Sequence, residues 1–149
     1  MPESLSIIIP AYNEAALLES TLTAVCRYMG TLEDRYRWEV IVVNDGSSDS
    51  TAEIADELAR TYPNVRVIHH PRNRGYGGAL QSGIRAATKD LIFYTDGDAQ
   101  YDPGELAALW PAMTDGVGVV NGYKLARSDP FHRIVIGRVY HHVVSLLFG

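Results

Sequence analysis

One cysteine, Cys26, stands in 149 residues, so an internal disulfide and a cysteine-based zinc cluster are both excluded. Cys26 falls in a helical pattern and reads as a small core residue, the usual fate of an unpaired thiol. No stretch of about 18 apolar residues occurs, and no basic segment followed by an apolar one opens the chain. The expectation is a cytoplasmic protein without a membrane-spanning helix. Cations are also short: 13 Lys and Arg against 18 Asp and Glu leave a net charge of -5, the wrong balance for a general nucleic-acid binder. What remains is ordinary. Hydrophobic content of 46% and charged content of 21% suit a globular chain, and the length suits one domain with a real core.

Within that frame, Asp90 to Pro103 (DLIFYTDGDAQYDP) stands out. Leu91 to Tyr94 form a short apolar run of strand type that stops abruptly at Asp96, Gly97, Asp98, Ala99 and Gln100. The pattern predicts a buried strand delivering a metal site. Two carboxylates one residue apart, with a side-chain amide two further on, are hard oxygen donors of the kind that hold Mg²⁺ or Mn²⁺ beside phosphate oxygens. The same residues also fit a strand-terminating Asp-Gly turn.

Other apolar runs precede it. Leu5–Ile9 reads as a strand broken at Pro10, followed by Asn13 as a helix N-cap, Glu14 in the first turn, and Leu17, Leu18, Leu22 and Val25 as a buried stripe reaching about Gly30. Trp38–Asn44 is a second strand ending in Asp45, Gly46, Ser47 and Ser48, with Ser50 and Glu53 as a capping box for a helix from Thr51 to Tyr62. Val65–His69 is a third, and the adjacent His69 and His70, which must point to opposite sides, read as strand-end residues. Arg72 to Ala79 is a Gly-rich turn opening a helix to Ala87, with Leu80, Ile84 and Ala87 on one face; exposed amides at a helix start suit a phosphate. A further helix begins at Pro103 with Glu105, Leu106, Leu109 and Trp110, and Val117–Asn121 reads as a fifth strand. From Arg133, helical spacing resumes through Ile134, Gly137, Arg138 and His141. The chain closes on an apolar run from Val143 to Phe148, which reads either as a helix cut short or as one docked into a core. Alternating strands and helices with continuous apolar strands predict an α/β fold, a mainly parallel sheet with helices on both faces. Four loops, Pro10–Glu14, Asp45–Ser48, Arg74–Ala79 and Asp96–Gln100, then gather at one edge.

The segments IIIPAYNE, VVNDGSSDST, HHPRNRGYGGAL and TDGDAQYDP resemble the successive motifs of family 2 glycosyltransferases of the GT-A fold, in the dolichyl- or polyprenyl-phosphate sugar transferase branch. The resemblance runs from about Leu5 to Arg133. It implies a Rossmann-like nucleotide-sugar-binding core over residues 1–121 and an acceptor-side segment over 122–149. It implies further that Pro10, Tyr12 and Glu14 line the base pocket, that Asp45 contacts base or ribose, and that the turn with Gly75, Gly77 and Gly78 closes over a UDP- or GDP-sugar. Asp96 would lie by the ribose and diphosphate, and Asp98 and Gln100 would bind Mg²⁺ or Mn²⁺. Lys124, Arg127 and Arg133 would face a lipid-phosphate acceptor. Two departures stand out. Lys124 occupies a place that is usually Arg and loses the bidentate fork, and Asn44 replaces the first acid of the commoner Asp-Asp-Gly-Ser.

Such a site implies inverting sugar transfer. A phosphate acceptor is already anionic at neutral pH, so cations holding it in line suffice without a general base. The resemblance also implies contact with the cytoplasmic face of a membrane through residues 133–148, which as a bare pattern fit a core helix equally well. Two other readings are weighed against it. A haloacid-dehalogenase-like phosphatase would use Asp96 as nucleophile and Asp98 as acid/base, and a nucleotide-sugar-binding fragment would bind without turnover.

Overall fold

Strands that are apolar on both faces need cover on both faces, and the two central strands of this sheet have it. The computed structural model describes residues 4–95, 104, 106–120 and 122. The chain divides into two compact units, Met1–Val117 and Gly118–Gly149, and all the regular structure described lies in the first. The elements run β1 (Ser4–Ala11), α1 (Leu18–Gly30), β2 (Arg37–Asn44), α2 (Thr51–Thr61), β3 (Val65–His69), α3 (Tyr76–Ala86), β4 (Leu91–Tyr94) and α4 (Leu106–Leu109), then a 3₁₀ turn, Trp110–Ala112. All strand pairings are parallel, in the order β3-β2-β1-β4.

Strand parity assigns the layers. Leu5, Ile7 and Ile9 of β1 with Val40 and Val42 of β2 face a core closed by Leu18, Leu22, Val25 and Met29 of α1 and by Ala55 and Leu58 of α2. Ile8, Ile41 and Val43 face the other way, onto Ala79 of α3. Gly83 allows α3 to come close, because a Cβ there would collide with the side chain of Ile8. Cys26 is buried as expected, and burial pushes its thiol up to about 11. Strands added outward from β1 to β3 use one face for their helices. The chain then returns to the opposite side of β1 by way of α3, so the winding reverses between β1 and β4, and ligands in open α/β sheets bind at such a reversal.

Several local expectations are corrected. Pro10 does not break β1 but pairs with Val43 inside it. Ile8 carbonyl accepts from Thr95 N–H, so even-numbered residues of β1 turn their backbone groups toward β4; Pro10 lies beyond the last β4 pair, Ile8 with Tyr94, where its missing N–H breaks no rung. Helix α1 begins at Leu18 rather than near Asn13, and Leu17 is exposed instead of buried. No Ser50 side chain caps α2; Asp49 accepts from the Thr51 N–H and hydroxyl instead. Ile84 is exposed on α3, and Gly83 takes the buried place. Strand β4 is not the buried strand expected: Leu91 and Phe93 are partly buried against the core, and Ile92 and Tyr94 are about half exposed. The segment from Val117 to Val120 forms no strand: Gly116 and Gly118 interrupt it, and Val119 is 83% exposed. The helix expected from Pro103 is, among the described residues, one turn of α4 and the 3₁₀ turn that contains Pro111. Asn121, Pro103, Glu105 and the helix expected from Arg133 lie outside the described residues.

Candidate functional site

Parallel pairing brings the ends of β1, β2 and β3 to one edge, and side chains there tie the loops together. Asn13 adopts a left-handed conformation, φ 56°, which asparagine tolerates better than most residues. Its Oδ1 accepts from Ser48 N–H at 2.8 Å, and its own N–H donates to Ser47 Oγ at 3.0 Å. Glu14 N–H donates to Thr51 Oγ1 at 2.9 Å, and Ala15 N–H to Asp49 Oδ2 at 3.2 Å. The Thr51 hydroxyl on Asp49 lowers that carboxyl below its ordinary range. The first loop is therefore clamped onto the second with Tyr12 half-exposed and Glu14 partly buried.

Asn44 makes use of being an amide. Its Oδ1 accepts from Ser47 N–H at 3.2 Å and its Nδ2 lies 3.1 Å from His69 Nδ1, while His69 Nε2 reaches Asp56 at 3.0 Å. A carboxylate in that place would have no donor for the ring nitrogen. Gly46, at φ 69°, lies against the third loop: a Cβ there would come within 2.5–2.8 Å of backbone atoms of Arg72 and Asn73. Glycine is required by both its dihedral and its neighbours.

The third loop is held by Asp45. Its Oδ1 accepts from Arg74 N–H at 2.9 Å and lies 2.5 Å from His70 Nδ1; both side chains are 4% exposed. Burial pushes the Asp45 carboxyl up, but the His70 hydrogen bond, the Arg74 amide, the charge of His70 and the Gly75 amide together hold it below the ordinary carboxylate range. On its other side, His70 Nε2 lies 2.9 Å from Ser82 Oγ in α3, which also reaches the Gly78 carbonyl at 3.1 Å. Gly75, at φ 78°, precedes α3 with no side-chain cap on the helix start. First-turn amides at the positive end of a helix dipole, next to a Gly-rich turn, suit a phosphate.

Pro10, Tyr12, Glu14, Asp45, Gly75, Gly77 and Gly78 are thus brought to one edge. Asp96, Asp98, Gln100, Lys124, Arg127 and Arg133 lie outside the described residues. Among the described residues no cluster of three or more His, Cys, Asp or Glu could hold a metal ion. His69 and His70 do point to opposite sides of β3, but reading them as plain strand-end residues missed the buried role of His70. The register that joins them belongs to the fold: Asn44 pairs with His69 in the parallel ladder, which sets Asp45 and His70, one residue on, side by side.

The model of the glycosyl transferase family 2 matches residues 6–142. A dolichyl-phosphate beta-glucosyltransferase of Trichomonas vaginalis is 36% identical over 63% of this chain and 30% of its own. An undecaprenyl-phosphate 4-deoxy-4-formamido-L-arabinose transferase of Pectobacterium carotovorum is 33% identical over 99% of this chain and 45% of its own. The chain thus spans less than half the length of these curated relatives. Among solved structures, a mannosyltransferase from Pyrobaculum calidifontis in complex with GDP-Man and Mn²⁺ superposes with a TM-score of 0.65 at 30% identity, over 77% of this chain and 33% of that one. The glucosyl-3-phosphoglycerate synthase of Mycobacterium tuberculosis, with Mn²⁺, UDP and glucosyl-3-phosphoglycerate, gives a TM-score of 0.61 at 26% identity over 78% and 42%. These neighbours share the GT-A fold expected from the sequence motifs, and the phosphatase alternative finds no support among them.

Proposed function

The chain belongs to glycosyl transferase family 2, and from that membership we propose that it carries the donor site of a metal-dependent inverting glycosyltransferase that moves a sugar from a UDP- or GDP-sugar to a polyprenyl or dolichyl phosphate. One observation carries the reading. Three loops at the edge where the sheet winding reverses are cross-linked by Asn13 to Ser48 and by Asp45 to Arg74, which makes a preformed polar rim at the place where nucleotides bind in such sheets. The relatives named for dolichyl and undecaprenyl phosphates support the acceptor class, and the GDP-Man, UDP and Mn²⁺ in the solved neighbours support the donor and the metal.

In this reading Pro10, Tyr12 and Glu14 hold the base, Asp45 stands by base or ribose, and the Gly75, Gly77 and Gly78 amides cover the diphosphate. Asp96 lies by the ribose and diphosphate. Asp98 and Gln100 are hard oxygen donors that fit Mg²⁺ or Mn²⁺, and a bound ion there supplies charge neutralisation at the diphosphate. Lys124, Arg127 and Arg133 hold the acceptor phosphate in line behind the anomeric carbon, so the attacking group needs no base to ionise it. Residues 133–148 are proposed to meet the membrane surface from which that acceptor is drawn.

The test is thermal stability against UDP, GDP and their sugar conjugates, each with and without Mn²⁺, beside Asp98→Ala. A ligand that binds only the native state raises the melting point by mass action. One nucleotide stabilising only with metal and only in the parent protein is the expected result. Stabilisation by orthophosphate alone, or by nothing, would sink the donor-site reading.

A further inference from the structure

Resting on that donor-site reading, we propose that His70 is a positioning residue: its Nδ1 holds the carboxylate at the end of β2 that accepts the first amide of the Gly-rich turn, and this contact sets where the turn presents its amides to the donor diphosphate, while Nε2 meets the second turn of α3. His70 is 6% exposed and Asp45 3%. Burying an imidazole and a carboxylate is costly unless each satisfies the other, and here they meet at 2.5 Å. The pair does more than satisfy itself. The oxygen that meets His70 Nδ1 also accepts the Arg74 N–H, the first link into the turn, and Asn73 Oδ1 accepts the next amide, Gly75 N–H, at 2.9 Å. His70 Nε2 reaches Ser82 on α3, one turn beyond Gly78.

Location separates this pair from the other buried ionic group described. Glu39 with Arg66 sits at the opposite edge, where it fastens the α3-to-β4 crossover, and needs no further explanation. The Asp45–His70 pair lies at the ligand edge between two loops of the proposed site. One ring nitrogen meets the carboxylate that holds the turn, and the other meets Ser82 inside α3.

The two arms can be cut separately. In His70→Asn the amide nitrogen falls near the Nδ1 position, keeping Asp45 and losing Ser82; in His70→Gln it falls near Nε2, keeping Ser82 and losing Asp45. Nucleotide affinity is measured by calorimetry with UDP and GDP in Mn²⁺, alongside the melting point of each chain. The Asp45 arm carries the turn, so His70→Gln is expected to lose about tenfold or more in affinity, the factor a lost hydrogen bond to a charged group carries. His70→Asn and Ser82→Ala are expected to stay within about threefold of the parent on the same scale. A merely structural histidine predicts the opposite: affinity that follows the melting point alike in both His70 variants, which overturns the proposal, as does a tenfold loss in Ser82→Ala. Should His70→Gln not fold, the parent chain decides, because saturation with nucleotide is expected to move the His70 ring N–H proton resonance and an unmoved resonance overturns the assignment. A parent chain that binds neither nucleotide takes down the donor-site reading itself, whereas normal binding by parent and variants together overturns only the role of His70.

Discussion

Glu39 shows how one side chain can decide the acid limit of this fold. It is 8% exposed and accepts from Ser6 Oγ at 2.6 Å, Thr88 N–H at 2.8 Å, Thr88 Oγ1 at 2.9 Å and Arg66 Nε at 3.0 Å, while Arg66 also donates to the Ala86 carbonyl at the end of α3. Burial pushes its carboxyl up, but those four hydrogen bonds outweigh burial and bring it from 4.5 down to about 2. The folded-state value is depressed, so the stability it contributes is present above pH 4.5 and is lost as the pH falls toward about 2. That shift is worth about 3 kcal/mol. Glu39→Gln is expected to cost about 2–4 kcal/mol at neutral pH, since an amide turns a donor toward donors. Urea unfolding at pH 7 and pH 2.5 checks it: the gap between parent and variant should narrow at the lower pH, and a gap independent of pH would remove the carboxylate from the account.

Helices and strands were legible to the extent that burial is periodic. Strands β1, β2 and β3 came through because most of their residues are apolar, with Ser6, Glu39 and Arg66 as polar exceptions that satisfy one another, and the pattern needs no knowledge of the neighbour. Leu17 and Ile84 misled because a helical stripe says which face is apolar, not where the first turn begins or how close the sheet comes. That distance is set by Gly83, whose missing side chain is filled by Ile8. Gly83→Ala is therefore expected to destabilise by about 1–3 kcal/mol through overpacking between α3 and β1. Gly30 is also helical, but a Cβ there would meet nothing within 4 Å, so alanine should bring a gain of about 0.5–1 kcal/mol from helix propensity and a stiffer unfolded chain. Melting curves of the two variants side by side separate a close contact from a generic dislike of glycine. The segment around Val117 failed for a different reason: a strand is a property of a pair, and its apolar residues find no partner among the described ones.

The first compact unit grades from a fully buried interior to the edge of the proposed site. The central strands β1 and β2 carry Ile8, Ile9 and Val40 to Val43 at 0% exposure, while β4 pairs on one side only among the described strands and leaves Ile92 and Tyr94 half open. Local opening free energy follows such burial, so the backbone amides of Ile7–Ile9 and Val40–Val43 are expected to exchange slowest with solvent and those of β4 faster. The clamped loops should behave differently from either. Their amides belong to exposed residues yet are spoken for by side chains: Asn13 by Ser47, Ser48 by Asn13 and Arg74 by Asp45. Nucleotide with Mn²⁺ should add protection at residues 11–14, 45–48 and 72–78 together, because the cross-links make the three loops one rim. Hydrogen exchange with and without ligand reads this directly. Protection confined to one loop would mean that the cross-links do not couple the rim, and protection in β4 alone would place the ligand elsewhere than the edge where the winding of the sheet reverses.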